Sequence, residues 1–240
     1  MGSRPCALGS GATVPVYRRH RLVHVHVPKT AGTAIERLFH QRGDMVWGPV
    51  SWVGEERRDG RWYEYQHLTG VELDRLSGDE FAGFARFAVV RDPYQRLVSD
   101  HLWRRAIKQA DPDAFLHAFA TFGEFVEAIP VDVDESWDAL VAGASRADAN
   151  LLIHLRPQHH YLRVTDGAPD RSVELVRYEG LPDELDAVLS RRGIDNDVVR
   201  RPPRHQLSDF FTPDLLRLVN ERYRHDFARL GYPMLERIEP

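Results

Sequence analysis

One short segment of the sequence carries residue types that bind anions. Pro28-Lys29-Thr30-Ala31-Gly32-Thr33 offers a lysine, two hydroxyls and small side chains directly after an apolar run. Small side chains let backbone N–H groups approach a phosphate or sulfate closely, and a lysine adds a mobile positive charge. In a Walker A motif, GxxxxGK[ST], the lysine follows the second glycine, whereas Lys29 precedes Gly32. The segment is therefore predicted to be an anion-binding loop that differs from a conventional ATP site.

A second group of polar residues follows the apolar run from Phe84 to Val90. Arg91 closes this run, and Ser99 lies two helical turns further along the chain. An arginine can offer a bidentate pair of donors to a phosphate dianion. Arg91 can equally form an ion pair with Asp92 or with another carboxylate. Taken alone, the residue leaves both interpretations open.

Chemistry at a hydroxyl group also needs a general base to remove the proton. His67 falls at the end of a predicted strand, Trp62 to Leu68, and an imidazole with a pKa near neutrality is suited to proton removal. The alternative is that His67 caps the following helix or bonds to a backbone carbonyl. His101 is the second candidate for the base, and Glu36 is the third.

The sequence predicts no metal site. The single cysteine, Cys6, excludes an internal disulfide and argues against a cysteine-based zinc site. His24 and His26 alternate on one face of the first strand, but a His-x-His pair without a third ligand favours packing. His159 and His160 are interpreted as substrate-lining or structural residues.

The elements that would position these residues alternate between strands and helices. Apolar runs predict strands, the first of which ends at Pro28. Helix-start signals stand at Thr69, Asp92, Pro182 and Thr212, whereas the middle of the chain reads as short helices. The predicted strands are 21–27, 62–68, 84–90 and 173–177. This alternation indicates an α/β fold with a central parallel sheet flanked by helices, in which ligands gather at the carboxyl ends of the strands.

Composition limits the remaining possibilities. A chain of 240 residues suffices for one α/β domain, expected over 21–240, after a flexible lead of residues 1–20. No apolar run approaches the ~20 residues of a membrane span, and the net charge of -4 argues against nucleic-acid binding. The lack of a signal-peptide core and the single cysteine favour the cytoplasm. Arginine strongly outnumbers lysine, which is typical of GC-rich bacterial coding, and the oligomeric state stays open.

Two strings together resemble a known family. VPKTAGTAIERLF resembles the 5'-phosphosulfate-binding loop of sulfotransferases that use 3'-phosphoadenosine-5'-phosphosulfate (PAPS). VVRDPYQRLVSDHLW, about sixty residues later, resembles their 3'-phosphate-binding segment, in the style of the carbohydrate (family 2) branch. Weaker similarity extends to YQHLTGVEL, LRPQHHYL, VRYEGL and RYRHDFARLGY. The resemblance implies a P-loop-like three-layer fold and a single sulfotransferase domain.

The resemblance also implies roles for individual residues. Lys29 would hold the 5'-phosphosulfate and stabilise the leaving oxygen, while Arg91 and Ser99 would hold the 3'-phosphate. Family members carry a His or a Glu near His67 as the base. The backbone of five residues would join Lys29: Thr30, Ala31, Gly32, Thr33 and Ala34. A basic loop over 200–206 could fold over the nucleotide, with contributions from Arg200, Arg201 or Arg204.

The implied reaction is transfer of a sulfuryl group from PAPS to a hydroxyl of a saccharide or small natural product. PAPS would be the cosubstrate and 3',5'-ADP the product, and no metal would be required. Two other functions remain open from the residues alone. One is a P-loop-type small-molecule kinase that uses ATP and magnesium, and the other is a noncatalytic nucleotide-binding protein.

Overall fold

A computed structural model describes residues 15–44, 55–58, 60–78, 80–134, 136–162, 173–200 and 204–238. The contacts of the chain divide it into two compact units, each described by itself below. The sheet unit comprises Met1–Glu56, Tyr63–Val90 and His160–Arg201. The helical unit comprises Arg57–Trp62, Arg91–His159 and Pro202–Pro240.

The elements follow the predicted alternation in the first half of the chain and become mainly helical after it. The strands are β1 (Val16–Tyr17), β2 (Leu22–His24), β3 (Glu55–Arg58), β4 (Arg61–Glu64), β5 (Ala85–Val90) and β6 (Val173–Arg177). The helices are α1 (Gly32–Gln41), α2 (Gly70–Ser77), α3 (Pro93–Ala110), α4 (Phe122–Glu127), α5 (Trp137–Val141), α6 (Arg146–Leu155), α7 (Gln158–Tyr161), α8 (Asp183–Ser190), α9 (Pro213–Arg222) and α10 (Arg224–Leu230).

The central sheet has four strands in the order β1-β2-β5-β6. Strands β2, β5 and β6 are parallel, as predicted, and β1 adds an antiparallel edge. The buried residues Val16 and Tyr17 of β1 lie inside the segment that was expected to be a flexible lead. The ordered sheet therefore begins before the predicted domain boundary at residue 21.

Helices cover both faces of this sheet within the sheet unit. Leu22, Phe87 and Val89 pack in one apolar cluster with α1 and α8. Val23 and Ala88, which alternate with them along β2 and β5, pack in a second cluster with α2. Because successive residues of a strand point to opposite faces, this alternation produces three layers. The predicted α/β fold with a central, mainly parallel sheet flanked by helices is confirmed.

The predicted strand at 62–68 is shorter than expected and lies outside the central sheet. Arg61–Glu64 pairs with β3 in a separate two-stranded sheet, and every residue of it is half-buried. Tyr65–His67 then forms a single 3-10 turn. A strand of a parallel sheet is buried on both faces, which a strand with two charged residues in four does not satisfy.

Local capping fixes the starts of the helices that follow. Thr69 accepts a hydrogen bond from the Glu72 N–H at 3.1 Å, and the Glu72 carboxylate accepts from the Thr69 N–H at 2.9 Å, which is the predicted capping box of α2. Asp92 caps α3 by accepting from the Gln95 N–H at 3.0 Å. The end of β5 is thereby joined directly to a helix start.

The helical unit contains the predicted short helices and one that was not expected. The final helix is interrupted at Tyr223 and continues as α10. Tyr223 is buried, and its hydroxyl donates to the Leu155 carbonyl at 2.6 Å. The residue at the break therefore bonds to a residue 68 positions away in the sequence. Among the described residues, none of the helices combines the length and apolarity needed to cross a lipid bilayer.

Candidate active site

The loop after β2 has an unusual backbone. Lys29 and Ala31 adopt positive φ angles of 69° and 74°. Buried Thr30 donates its hydroxyl to the Val27 carbonyl at 2.8 Å. The sequence predicts that this hydroxyl contacts the anion, but its one hydrogen is used within the loop. Thr30 therefore shapes the loop, and Ala31 occupies the N-cap position of α1.

The start of α1 presents backbone donors. In the part of the chain that the structure describes, the N–H groups of Ala31, Gly32 and Thr33 donate no hydrogen bond to the backbone. Such groups and the positive end of the helix dipole favour an anion. The Ala34 N–H instead donates to the Ala31 carbonyl at 3.0 Å. The N–H groups of Ala31, Gly32 and Thr33 are thus available donors, and the parts of Thr30 and Ala34 in nucleotide binding stay predictions.

Gly32 allows the loop to lie directly on His26. A Cβ at this position would lie 1.7 Å from His26 Nε2, far inside van der Waals contact. The backbone of Gly32 and the imidazole of His26 are therefore in direct contact. The contact with His26 therefore explains a glycine at position 32 independently of any approach to an anion.

His26 is the centre of a polar network beneath the loop. It is buried, and its Nδ1 lies 2.8 Å from Glu36 Oε1 and 3.3 Å from Gln66 Nε2. Glu36, the third candidate for the base, is also buried and orients His26. The sequence predicts a packing role for His26, because a His-x-His strand pattern does not reveal a partner one turn into the next helix.

His67 belongs to the same network. Its Nδ1 lies 2.9 Å from the His26 carbonyl, and the two imidazole rings are 4.4 Å apart between centroids. A carbonyl only accepts, so His67 Nδ1 donates, and in the neutral form of the ring the basic lone pair is on Nε2. The bond to a carbonyl that was offered as an alternative role is thus present. It also sets the tautomer that a base needs.

The other candidate base lies elsewhere. His101 is buried in the helical unit, with Phe122 and Phe125 ring centroids at 5.6 and 5.7 Å. Burial, and then the charge of Arg105, lower its pKa. The aromatic surroundings of His101 favour a packing role over the acceptor-facing one that was considered.

The loop after β2 and Arg91 after β5 follow neighbouring strands. β2 and β5 are parallel, and the pairing continues past β2, because the Val25 N–H donates to the Phe87 carbonyl at 2.8 Å. Both strands therefore end at the same edge of the sheet. In open α/β sheets this edge is where ligands bind.

Gln158 holds the backbone of Arg91 within the helical unit. Its side chain accepts from the Arg91 N–H at 2.9 Å and donates to the Arg91 carbonyl at 2.8 Å. Arg91 is buried, whereas Ser99 on α3 is half-buried. Asp92, a considered ion-pair partner, uses a carboxylate oxygen to cap α3. No pattern in the sequence indicated Gln158.

The basic loop over 200–206 is described in part. The Arg200 guanidinium donates to the carbonyls of Asp197 and Val199, so it stabilises its own turn. Arg201 lies outside the described residues, and Arg204 is exposed.

A glutamine also holds the end of this loop. Gln95 of α3 exchanges hydrogen bonds of 2.8 and 2.9 Å with the His205 backbone. Burial, and then the charge of Arg91, lower the pKa of His205. The loop therefore lies within electrostatic reach of Arg91, and Gln95, like Gln158, is a positioning residue that sequence reasoning missed.

Comparison with known proteins identifies the class of the molecule. A model of the sulfotransferase family matches residues 13–233. The chain belongs to the sulfotransferase family and is a sulfotransferase enzyme, which confirms the resemblance found in the two loop motifs. Enzymes of this family generally transfer a sulfuryl group from PAPS to hydroxyl acceptors. Searches among curated proteins and among solved structures found no match.

Proposed function

We propose that the enzyme transfers a sulfuryl group from PAPS to a hydroxyl of a saccharide or small natural product and releases 3',5'-ADP. The observation that carries this proposal is the His26 network. Gly32 lies against the ring of His26, and His67 bonds to its carbonyl. One buried residue thus links the anion loop to the base inside a single unit.

Two groups of residues bind different ends of PAPS. Lys29 and the N–H groups of Ala31 to Thr33 bind the 5'-phosphosulfate. Arg91 and Ser99 bind the 3'-phosphate that distinguishes PAPS from ATP, and Arg204 adds positive charge from its loop. The common edge at which β2 and β5 end supports this division, as does the pair of bonds from Gln158 that fixes Arg91.

The chemical step is an in-line displacement at sulfur. The acceptor oxygen forms a bond to sulfur while the bond from sulfur to the 5'-phosphate oxygen breaks. His67 Nε2 takes the acceptor proton, and Lys29 with the loop N–H groups stabilises the negative charge on the departing phosphate. The transferred group is less charged than a phosphoryl group, so the step requires no metal.

A product-identification assay tests the proposal. The protein is incubated with PAPS labelled in its sulfuryl group and an extract of its native host, and labelled products are identified by mass spectrometry. We expect an organic product whose mass rises by one sulfuryl group, together with 3',5'-ADP. Labelled inorganic sulfate alone, at the rate seen without enzyme, would contradict the proposal.

A further inference from the structure

Two histidines and an aspartate from three distant segments meet inside the helical unit. Asp134 lies between α4 and α5, His159 is on α7, and His225 is on α10. Their ligand atoms all lie within 4.8 Å of one another. His159 Nε2 is 3.1 Å from one carboxylate oxygen of Asp134, and His225 Nδ1 contacts the other. Two imidazole nitrogens and a carboxylate form a ligand set that late first-row divalent metals prefer.

A buried carboxylate behind the cluster orients His159. Asp226 accepts a hydrogen bond from His159 Nδ1 at 2.7 Å and from the backbone N–H groups of Gln158 and His159 at 2.8 and 2.9 Å. Asp226 is fully buried, and His159 is 4% exposed. Since a carboxylate only accepts, His159 Nδ1 carries a proton, and Nε2 is the ring nitrogen that lies near Asp134. A histidine held by a carboxylate in this way is the usual second shell of a zinc ligand.

The electrostatics of the cluster require a cation. In the neutral form of His159 the Nε2 lone pair and the Asp134 carboxylate oxygen are both electron-rich, and at 3.1 Å they repel unless positive charge lies between them. Two ligand atoms on a tetrahedral zinc ion, each about 2.1 Å from the metal, lie about 3.4 Å apart. The observed separation is close to this value. A proton on His159 is the competing cation, and it would make this residue an imidazolium between two carboxylates.

We propose that Asp134, His159 and His225 bind Zn²⁺, with water at the fourth position, and that the ion stabilises the helical unit. The ligands join the segment between α4 and α5 to α7 and α10, which are far apart in the chain. The proposal departs from the prediction of no metal site and of a substrate-lining or structural His159. The ion takes no part in sulfuryl transfer, so the proposal is independent of the proposed function.

The test measures zinc binding by the full chain prepared without a histidine tag. Protein stripped with a chelator and then dialysed is titrated with Zn²⁺ by calorimetry, and with Co²⁺ by visible absorption. We expect one ion per chain, the absorption bands of four-coordinate Co²⁺, and a melting temperature that rises on adding Zn²⁺. Absence of stoichiometric binding in the wild-type protein would overturn the proposal and favour the imidazolium.

Variants locate the ion. Asp134→Asn and His225→Ala should each weaken Zn²⁺ binding at least tenfold and remove the rise in melting temperature. The His225 side chain is 39% exposed, so its loss should leave the fold intact by circular dichroism. His117→Ala is the matched control, because His117 pairs with Asp148 at 2.8 Å on the exposed surface of the same unit. Equal zinc affinity in His225→Ala and wild type would also overturn the proposal.

Discussion

A backbone carbonyl fixes the tautomer on which the proposed role of His67 depends. The residue type and its place before α2 indicated a base from the sequence. The bond to the His26 carbonyl could not be predicted, because the two residues are 41 positions apart. That bond fixes which nitrogen carries the basic lone pair. The sequence predicts which residue is the base, and the structure adds its tautomer.

Replacing His67 by Ala should separate catalysis from binding. We expect kcat to fall by about 10²–10⁴-fold, because the acceptor proton loses its base. Binding of 3',5'-ADP, measured by calorimetry, should stay close to wild type. His40→Ala, an exposed histidine on α1, is the control and should keep full activity. A parallel loss of kcat and nucleotide affinity in His67→Ala would indicate a structural role instead.

Replacing Lys29 by Ala should remove positive charge from the leaving phosphate. We expect kcat/KM for PAPS to fall at least about 10²-fold, with weaker binding of 3',5'-ADP. Lys108→Ala provides a matched control, because Lys108 is the other lysine of the sequence and bonds to the carbonyls of Pro112 and Ala114. Full transfer activity in Lys29→Ala would exclude this lysine from the mechanism.

At the level of elements, the sequence predicted what depends on near neighbours. The capping box of Thr69 and the Asp92 cap were correct, because each involves residues three positions apart. The edge strand β1 was missed although its partner β2 is only five to seven positions away, because two residues are too few to show a strand pattern. The break at Tyr223 was missed because the Tyr223 hydroxyl bonds to Leu155, 68 positions away. Local signals therefore located the helix starts, but not a two-residue strand or a helix end that coincides with a distant contact.

The junction between β2 and α1 should not tolerate a side chain at Gly32. In Gly32→Ala the new methyl group overlaps His26, so the loop or the imidazole must move. We expect a loss of about 1–3 kcal/mol in the free energy of unfolding, measured with urea, and at least tenfold lower activity.

Gly123, near the start of α4, offers the matched control for the Gly32→Ala substitution. A Cβ there would contact Thr121 at 3.8 Å and Leu215 at 3.9 Å, which are ordinary distances. Gly123→Ala should therefore keep wild-type stability or exceed it slightly. Equal effects of the two substitutions would show that the contact with His26 does not restrict position 32.

At the level of the whole molecule, the sequence indicated the residues that directly follow the strands. It did not indicate the glutamines whose side chains bond to the backbone of Arg91 and of the 200–206 loop. Lys29 and Arg91 stand directly after apolar runs, and this placement is visible in the sequence. Gln158 and Gln95 act across 67 and 110 positions respectively. Amide side chains have no signature that distinguishes such a role from surface exposure, so tertiary structure alone identifies them.

The stability of the molecule should depend on pH through His24. This residue is fully buried, and among the described residues neither ring nitrogen has a hydrogen-bond partner. Burial, and then the charge of His26, lower its pKa well below 6.5. The native protein keeps His24 neutral, whereas the unfolded chain takes up a proton as the pH falls below 6.5. The free energy of unfolding should therefore decrease on acidification below that pH.

His24→Phe should reduce this loss, because phenylalanine does not titrate and fits against Phe87, whose ring centroid lies 4.8 Å from that of His24. Between pH 8 and pH 5, urea unfolding should show a decrease smaller by up to about 2 kcal/mol in the variant than in wild type. The same change at exposed His40 should leave the pH dependence unaltered. An unchanged decrease in His24→Phe would refute the assignment.

The proposed function depends above all on a nucleotide site that recognises a 3'-phosphate without magnesium. The most direct test is calorimetric titration of the wild-type protein and Arg91→Ala with 3',5'-ADP, with 5'-AMP, and with ATP plus magnesium. We predict that wild type binds 3',5'-ADP best and that Arg91→Ala loses at least tenfold of this affinity while keeping that for 5'-AMP, since hydrogen bonds to charged groups contribute about 1.5–3 kcal/mol. Preference for ATP with magnesium, or equal affinity for 3',5'-ADP and 5'-AMP in wild type, would contradict it.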